Sequence, residues 1–108
     1  MAREKFQTLT EQMFYILLCL QQECCGTDIM TQVNQLTNGR VSVGPGTLYN
    51  LLESCLEAGW NAGTKAEGRK RSYLITAAGR KALEDEYHRL QTLTADYERS
   101  TGKRGADT

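Results

Sequence analysis

Arg40-Val41-Ser42-Val43-Gly44-Pro45-Gly46-Thr47-Leu48-Tyr49-Asn50-Leu51-Leu52 joins a short extended link to the opening turns of a helix. Proline suits an early helical position, because the amide it lacks has no partner in the first turn. From there Leu48, Leu51, Leu52, Cys55 and Leu56 recur at helical spacing as a buried stripe. Thr47, Tyr49, Asn50 and Ser54 lie around the polar side. Gly59 terminates the helix, and Trp60 follows as a large apolar anchor, with ligand stacking as its alternative use. Val41-Ser42-Val43 is too short for an independent strand and reads as the extended lead into this helix.

Upstream, a helix is expected from Thr27 or Asp28 to Leu36, with Ile29, Val33 and Leu36 in phase. Gly26 ends the link before it. Asn38-Gly39 stops it, because both residues tolerate the left-handed conformation. Earlier still, Leu9-Thr10-Glu11 opens a first helix: Thr10 caps the free amides, and Leu9 and Phe14 occupy the hydrophobic-staple positions. Phe14, Leu17 and Leu18 share a face that Met13, Ile16 and Leu20 broaden. This helix is expected to be almost wholly buried, inside the domain or against a second chain.

Downstream the pattern changes to a hairpin. Trp60 to about Lys65 reads as one strand, Ala66-Glu67-Gly68 as the tip, and Arg69 to Ile75 as the return. Leu74 and Ile75 are both apolar, so the alternation leaves the buried face open. Tyr73 reads as a core or sheet-face aromatic, with phosphate contact as the alternative. Thr76 then caps a last helix from Ala77 to about Arg99. Gly79 in its first turn costs roughly 1 kcal/mol relative to alanine, which predicts close packing there. Leu83, Tyr87, Leu90, Leu93 and Tyr97 make the apolar stripe of this helix.

Three helices, a hairpin and a long trailing helix make an α+β chain, mostly α: a winged helix-turn-helix with an additional C-terminal helix. The expected organisation is a flexible 1–8, a winged helix-turn-helix over 9–76, a dimerisation helix over 77–99 and a disordered tail over 100–108. The length of 108 residues suits one modest core.

Net charge is zero, but its distribution is uneven. Lys65, Arg69, Lys70, Arg71, Arg80 and Lys81 against Glu67 alone give residues 61–81 a net +5, between segments of −3 and −2. A focused cationic segment is what phosphate contact needs. The longest apolar run, Met13 to Leu20, is too short to span a bilayer. Glu4 and Glu11 interrupt any secretory signal, so no membrane contact and a cytoplasmic location are expected. Cys19, Cys24, Cys25 and Cys55 have poor spacing for a zinc knuckle and read as buried free thiols rather than metal ligands. His88 has no acid and nucleophile arranged with it in sequence as a catalytic set and reads as a surface or interface histidine. Gly63 and Gly68 do not form a phosphate-binding fingerprint. No enzyme activity, cofactor or metal is expected.

The order of elements points to duplex DNA. A major groove about 12 Å wide admits one helix and offers a distinct donor and acceptor pattern for each base pair. Reading side chains come from the N-terminal part of such a helix, here Ser42, Thr47, Tyr49 and Asn50. Lys65, Arg69, Lys70 and Arg71 on the hairpin supply phosphate contacts. A protein-binding adaptor is the alternative, and it would show little salt-dependent affinity for DNA. The stripe on the last helix calls for a partner surface. A second copy, offering Phe14 and Leu18 of its first helix, would supply one, although the helix could also fold back on its own domain. Phe14, Tyr15, Trp60, Tyr87 and Tyr97 recur beside that seam. They are the expected lining for a small apolar or aromatic effector, against the alternative of a fully packed interface.

The order and local wording from about Leu9 to Leu83 resemble the PadR-like family of bacterial transcriptional regulators. The carrying pieces are Arg40 to Leu52, then Gly68-Arg69-Lys70-Arg71-Ser72-Tyr73-Leu74-Ile75-Thr76-Ala77-Ala78-Gly79, and the opening Leu9-Thr10-Glu11 with Phe14-Tyr15-Ile16-Leu17. The resemblance implies a homodimeric repressor on an inverted-repeat operator, sometimes released by a small molecule, in the short form that ends in one dimerising helix. It places DNA contact at the eight residues named above. The chain departs from the family pattern at Thr27, where an aromatic is usual, and at Trp60-Asn61, where an aliphatic pair is common.

Overall fold

The computed structural model describes residues 9–67 and 70–103, with the side chains of 65–67 outside the description. The expected flexible segment 1–8, Gly68 and Arg69 of the hairpin, and residues 104–108 of the expected tail also lie outside it. In chain order the elements are α1 (Glu11–Cys19), β1 (Cys24–Cys25), α2 (Gly26–Leu36), α3 (Pro45–Glu57), β2 (Asn61–Glu67), β3 (Lys70–Ile75) and α4 (Ala77–Thr101).

Side-chain oxygens start two of the four helices. Thr10 Oγ1 accepts the Met13 amide at 3.1 Å, and Thr76 Oγ1 accepts the Gly79 amide at 3.0 Å. Helix α2 ends where Asn38 (φ 54°) and Gly39 (φ 79°) turn left-handed, as their residue types predict. Thr37 then pins the link into α3: its hydroxyl donates to the Val33 carbonyl at 2.8 Å and accepts the Val41 amide at 3.0 Å. The link is extended, with Val41 and Val43 buried and Ser42 turned outward between them.

Ile16, Leu17, Leu20, Ile29, Val33, Leu48 and Cys55 form the fully buried centre, where α1, α2 and α3 meet. Trp60, Tyr73 and Ile75 close it from the sheet side. All four thiols are free and buried. Burial pushes the Cys24 thiol up to about 11 and the Cys55 thiol up to about 12.

The sheet is antiparallel in the order β1-β3-β2. Its third strand has no counterpart in the sequence reading. Cys24 and Cys25 pair with Tyr73 and Ser72, too short a run to show a period. The hairpin is also longer than expected. Strand β2 continues to Glu67, which pairs with Lys70, so Ala66 and Glu67 are strand residues and not part of the tip. A register shift between Gly63 and Lys65 makes Thr64 the extra residue of a bulge, a device that twists and bends a hairpin. The open question of the return strand has one answer: Tyr73 and Ile75 face inward and Leu74 outward.

Two apolar positions are less buried than expected. Leu56 lies on the flank of α3, away from the line of Leu48, Leu52 and Cys55, and is exposed. Leu36, the last residue of α2, is exposed where the chain turns away.

Helix α4 runs two residues past the expected Arg99 and ends at Gly102, whose φ of 72° is left-handed. Its start is held tightly. The Thr76 amide donates to the Trp60 carbonyl at 2.9 Å, and a Cβ on Gly79 would stand 2.1 Å from that same oxygen. Leu83 packs against the core of its own chain, so the uncovered stripe begins after it. Glu86 is buried on this helix. It accepts the Leu9 amide at 3.3 Å and Arg89 Nε at 3.1 Å. These hydrogen bonds, the Arg89 partner first, hold its carboxyl below the usual range. Beyond it Tyr87, Leu90, Leu93 and Tyr97 are exposed. Among the described residues no helix is long and apolar enough to cross a membrane.

Candidate nucleic-acid interface

The polar side of α3 and the start of β3, the central strand of the sheet, are both open. Thr47, Tyr49 and Asn50 are exposed on α3, and Ser42 is exposed on the link before it. Gly44 occupies the cap position of α3 and no side chain caps it, so the first-turn amides remain available to an outside acceptor. Lys70 and Arg71 are exposed on β3. The backbone of Lys65 pairs with Ser72, while its side chain and all of Arg69 lie outside the described residues. Asn61, buried at the start of β2, donates from Nδ2 to the Leu52 carbonyl at 3.4 Å and so ties the hairpin to α3. At the bulge, Thr64 hydrogen-bonds the Glu23 carboxylate.

Tyr49 has a second role that its exposure conceals. A Cβ on Gly26 would lie 2.6 Å from Tyr49 Oη, so the phenol rests over the first residue of α2. A side chain at this position would have to displace the phenol. This contact joins residues far apart in sequence, and no local pattern announces it.

Arg40 is also missing from the sequence-based set. Its Nη1 donates to Glu11 Oε2 at 2.6 Å and its Nη2 to Tyr15 Oη at 3.0 Å. The Glu11 hydrogen bond raises the guanidinium above its ordinary range. The arginine therefore fastens the start of the link to α1, two residues before Ser42. Arg40→Ala is expected to accelerate amide hydrogen exchange at Ser42 and Val43 severalfold while exchange within α1 stays unchanged. Unchanged exchange at both would mean that Thr37 alone holds the link.

The other expected site residues separate. Lys81 pairs with Asp85 at 3.0 Å, so one charge of the +5 segment is balanced locally on α4. Phe14 and Leu18 are half-buried on α1. Tyr15 sits edge-on to Phe14, with ring centroids 5.7 Å apart, and is engaged by Arg40. Trp60 is enclosed in the core rather than placed at a cleft, because the carbonyl that packs against Gly79 fixes it there. Tyr87 and Tyr97 are exposed on α4. Cys25 Sγ lies 3.3 Å from both Thr27 Oγ1 and Asp28 Oδ2. Among the described residues, no His, Cys, Asp and Glu side chains group as a metal set.

A model of the transcriptional regulator PadR-like family matches residues 16–85. In structure the chain is similar to a transcriptional regulator from Clostridium thermocellum, at TM-score 0.71 and 16% identity, over 82% of this chain and 90% of that one. It is also similar to RosR of H. salinarum, at TM-score 0.62 and 21% identity, over 85% of this chain and 96% of that one. A third relative is Bacillus subtilis PadR in complex with operator DNA, at TM-score 0.58 and 23% identity, over 68% of this chain and 45% of that longer one. No curated protein matches the chain. The shared architecture is the winged helix: three helices, a hairpin wing and a long C-terminal helix.

Proposed function

This chain belongs to the PadR-like family of transcriptional regulators, and from that premise we propose that it binds duplex DNA through α3 and the β2–β3 wing. One observation carries the reading. The uncapped, exposed N-terminal half of α3 has a hairpin packed beside its far end, and the return strand of that hairpin presents Lys70 and Arg71 to solvent. In this arrangement Ser42, Thr47, Tyr49 and Asn50 meet base edges or the sugar-phosphate edge. Lys65, Arg69, Lys70 and Arg71 meet phosphates, and the α3 amides take one more phosphate.

The functional unit is a homodimer. Tyr87, Leu90, Leu93 and Tyr97 of one copy cover Phe14 and Leu18 of the other, which sets two α3 helices against an inverted-repeat operator. The protein acts in the cytoplasm as a repressor and not as a catalyst. A small apolar or aromatic effector binds at the seam, beside Phe14, Tyr15, Tyr87 and Tyr97, and releases it from DNA.

Replacing Lys70 and Arg71 together by alanine tests the wing. Affinity should fall on every duplex alike, and the slope of log affinity against log salt should flatten by up to about two. An unchanged slope would remove the wing from the interface. A wild-type chain with no salt-dependent duplex affinity would instead be a protein-binding adaptor.

A further inference from the structure

Helix α3 has no lysine or arginine in any of its 13 positions. Its buried side is centred on Leu48, Leu52 and Cys55. At about 100° per residue, the opposite direction falls on Gly46, Asn50, Glu53 and Glu57, and all four are exposed. Thr47 and Tyr49 flank this line, and the Tyr49 phenol is drawn over Gly26. The central outward surface of the helix is therefore bare at Gly46, an amide at Asn50 and a carboxylate at Glu53. Among the described residues no cation pairs with Glu53.

A carboxylate beside two phosphate strands opposes binding unless it meets a donor. In the major groove, cytosine N4 offers a donor, whereas guanine and thymine present acceptors to a carboxylate. Adenine pairs a donor with an acceptor, which suits the amide of asparagine. Residues three apart are neighbours on a helix surface. Their rise of about 4.5 Å is close to the base-pair step of about 3.4 Å.

We propose that Glu53 is a specificity-determining residue that accepts a hydrogen bond from cytosine N4 at the base pair next to the one read by Asn50. The proposal rests on the assignment of α3 as the DNA-reading helix. Glu53 thus acts in two opposed ways: it lowers affinity for duplex DNA in general and selects one base within each half-site.

The experiment is selection of bound duplexes from a random pool by the full chain and by Asn50→Ala, Glu53→Ala and Glu53→Gln. Affinities for the selected and random duplexes are then measured. Wild type should enrich a C·G pair in each half-site, adjacent to the position that Asn50→Ala erases. Glu53→Ala should lose about ten- to hundredfold of discrimination at that pair alone, and bind random duplex more tightly than wild type does. Glu53→Gln should move the preference there from cytosine toward adenine, a change that a structural role would not produce. An identical consensus in all Glu53 variants, with affinity raised equally on every duplex, would reduce Glu53 to general repulsion and overturn the proposal. If wild type enriched no duplex at all, the assignment of α3 would fall first, and Glu53 with it.

Discussion

Gly79→Ala is expected to lower the stability of the chain by about 2–3 kcal/mol, and Gly79→Val to prevent folding. Alanine is the better helix former by roughly 1 kcal/mol, so helix propensity alone predicts the opposite sign. Packing decides. The new methyl would stand 2.1 Å from the Trp60 carbonyl oxygen and 2.7 Å from Ile75 Cγ1. That oxygen cannot move freely, because it accepts the Thr76 amide at 2.9 Å. Thr76 is anchored in turn, donating to the Gly59 carbonyl at 2.5 Å while capping Gly79. Relief requires α4 to move away from the sheet, which opens the core at Trp60 and Ile75. Urea unfolding measures the effect as a lower midpoint, and an unchanged or higher midpoint would show that α4 can shift without loss.

Leu90→Asp should leave the folded chain intact and abolish the proposed dimer. In the single chain Leu90 is already 39% exposed, so aspartate there can remain hydrated and the monomer loses little. In the proposed dimer the same position would lie at the centre of the seam, where an unpaired carboxylate is costly. The stripe of Tyr87, Leu90, Leu93 and Tyr97 gains about 25 cal/mol for each Å² of apolar surface removed from water, and one central charge forfeits much of that. The variant is expected to sediment as a monomer with an unaltered circular dichroism spectrum. It should also lose about 10²–10⁴-fold in operator affinity, the usual gain from linking two binding heads. A variant that still sediments as a dimer would overturn the interface. So would a wild-type monomer at micromolar concentration that binds a single half-site tightly.

The four helices were legible because each carries its own evidence. Apolar residues recur at helical spacing, Thr10 and Thr76 mark starts, and Asn38-Gly39 and Gly59 mark ends. The close packing at Gly79 was legible too, because glycine in a first helical turn demands a reason. Strand β1 was not, since two residues hold no period and its pairing depends on the edge that β3 offers. The length of the wing was hidden by Ala66 and Glu67, which are weak strand formers kept in register by their partners on β3. Leu83 falls in the outer stripe by spacing and in the core by contact, because spacing cannot tell which neighbour a face meets. On α3, helical phase separates the exposed polar residues from the buried stripe. Glu53 lies past the N-terminal half from which reading side chains are expected, although the phase of Leu48, Leu52 and Cys55 puts it on the outward side. Tyr49 over Gly26 and Arg40 on Glu11 are long-range contacts that only the folded chain displays.

The burial of Cys55 gives the chain an internal clock. Alkylating reagents attack the thiolate, and burial pushes the Cys55 thiol up to about 12, so it is ionised far less at neutral pH than a free cysteine. An unfolded cysteine, with a pKa of about 8.5, is ionised several per cent of the time. Cys55 is fully enclosed between α3 and α1, so its modification is expected to proceed through molecules whose core has opened, and its rate to count how often α3 and α1 part. Any ligand that holds α3 in place slows that count, whatever surface it touches.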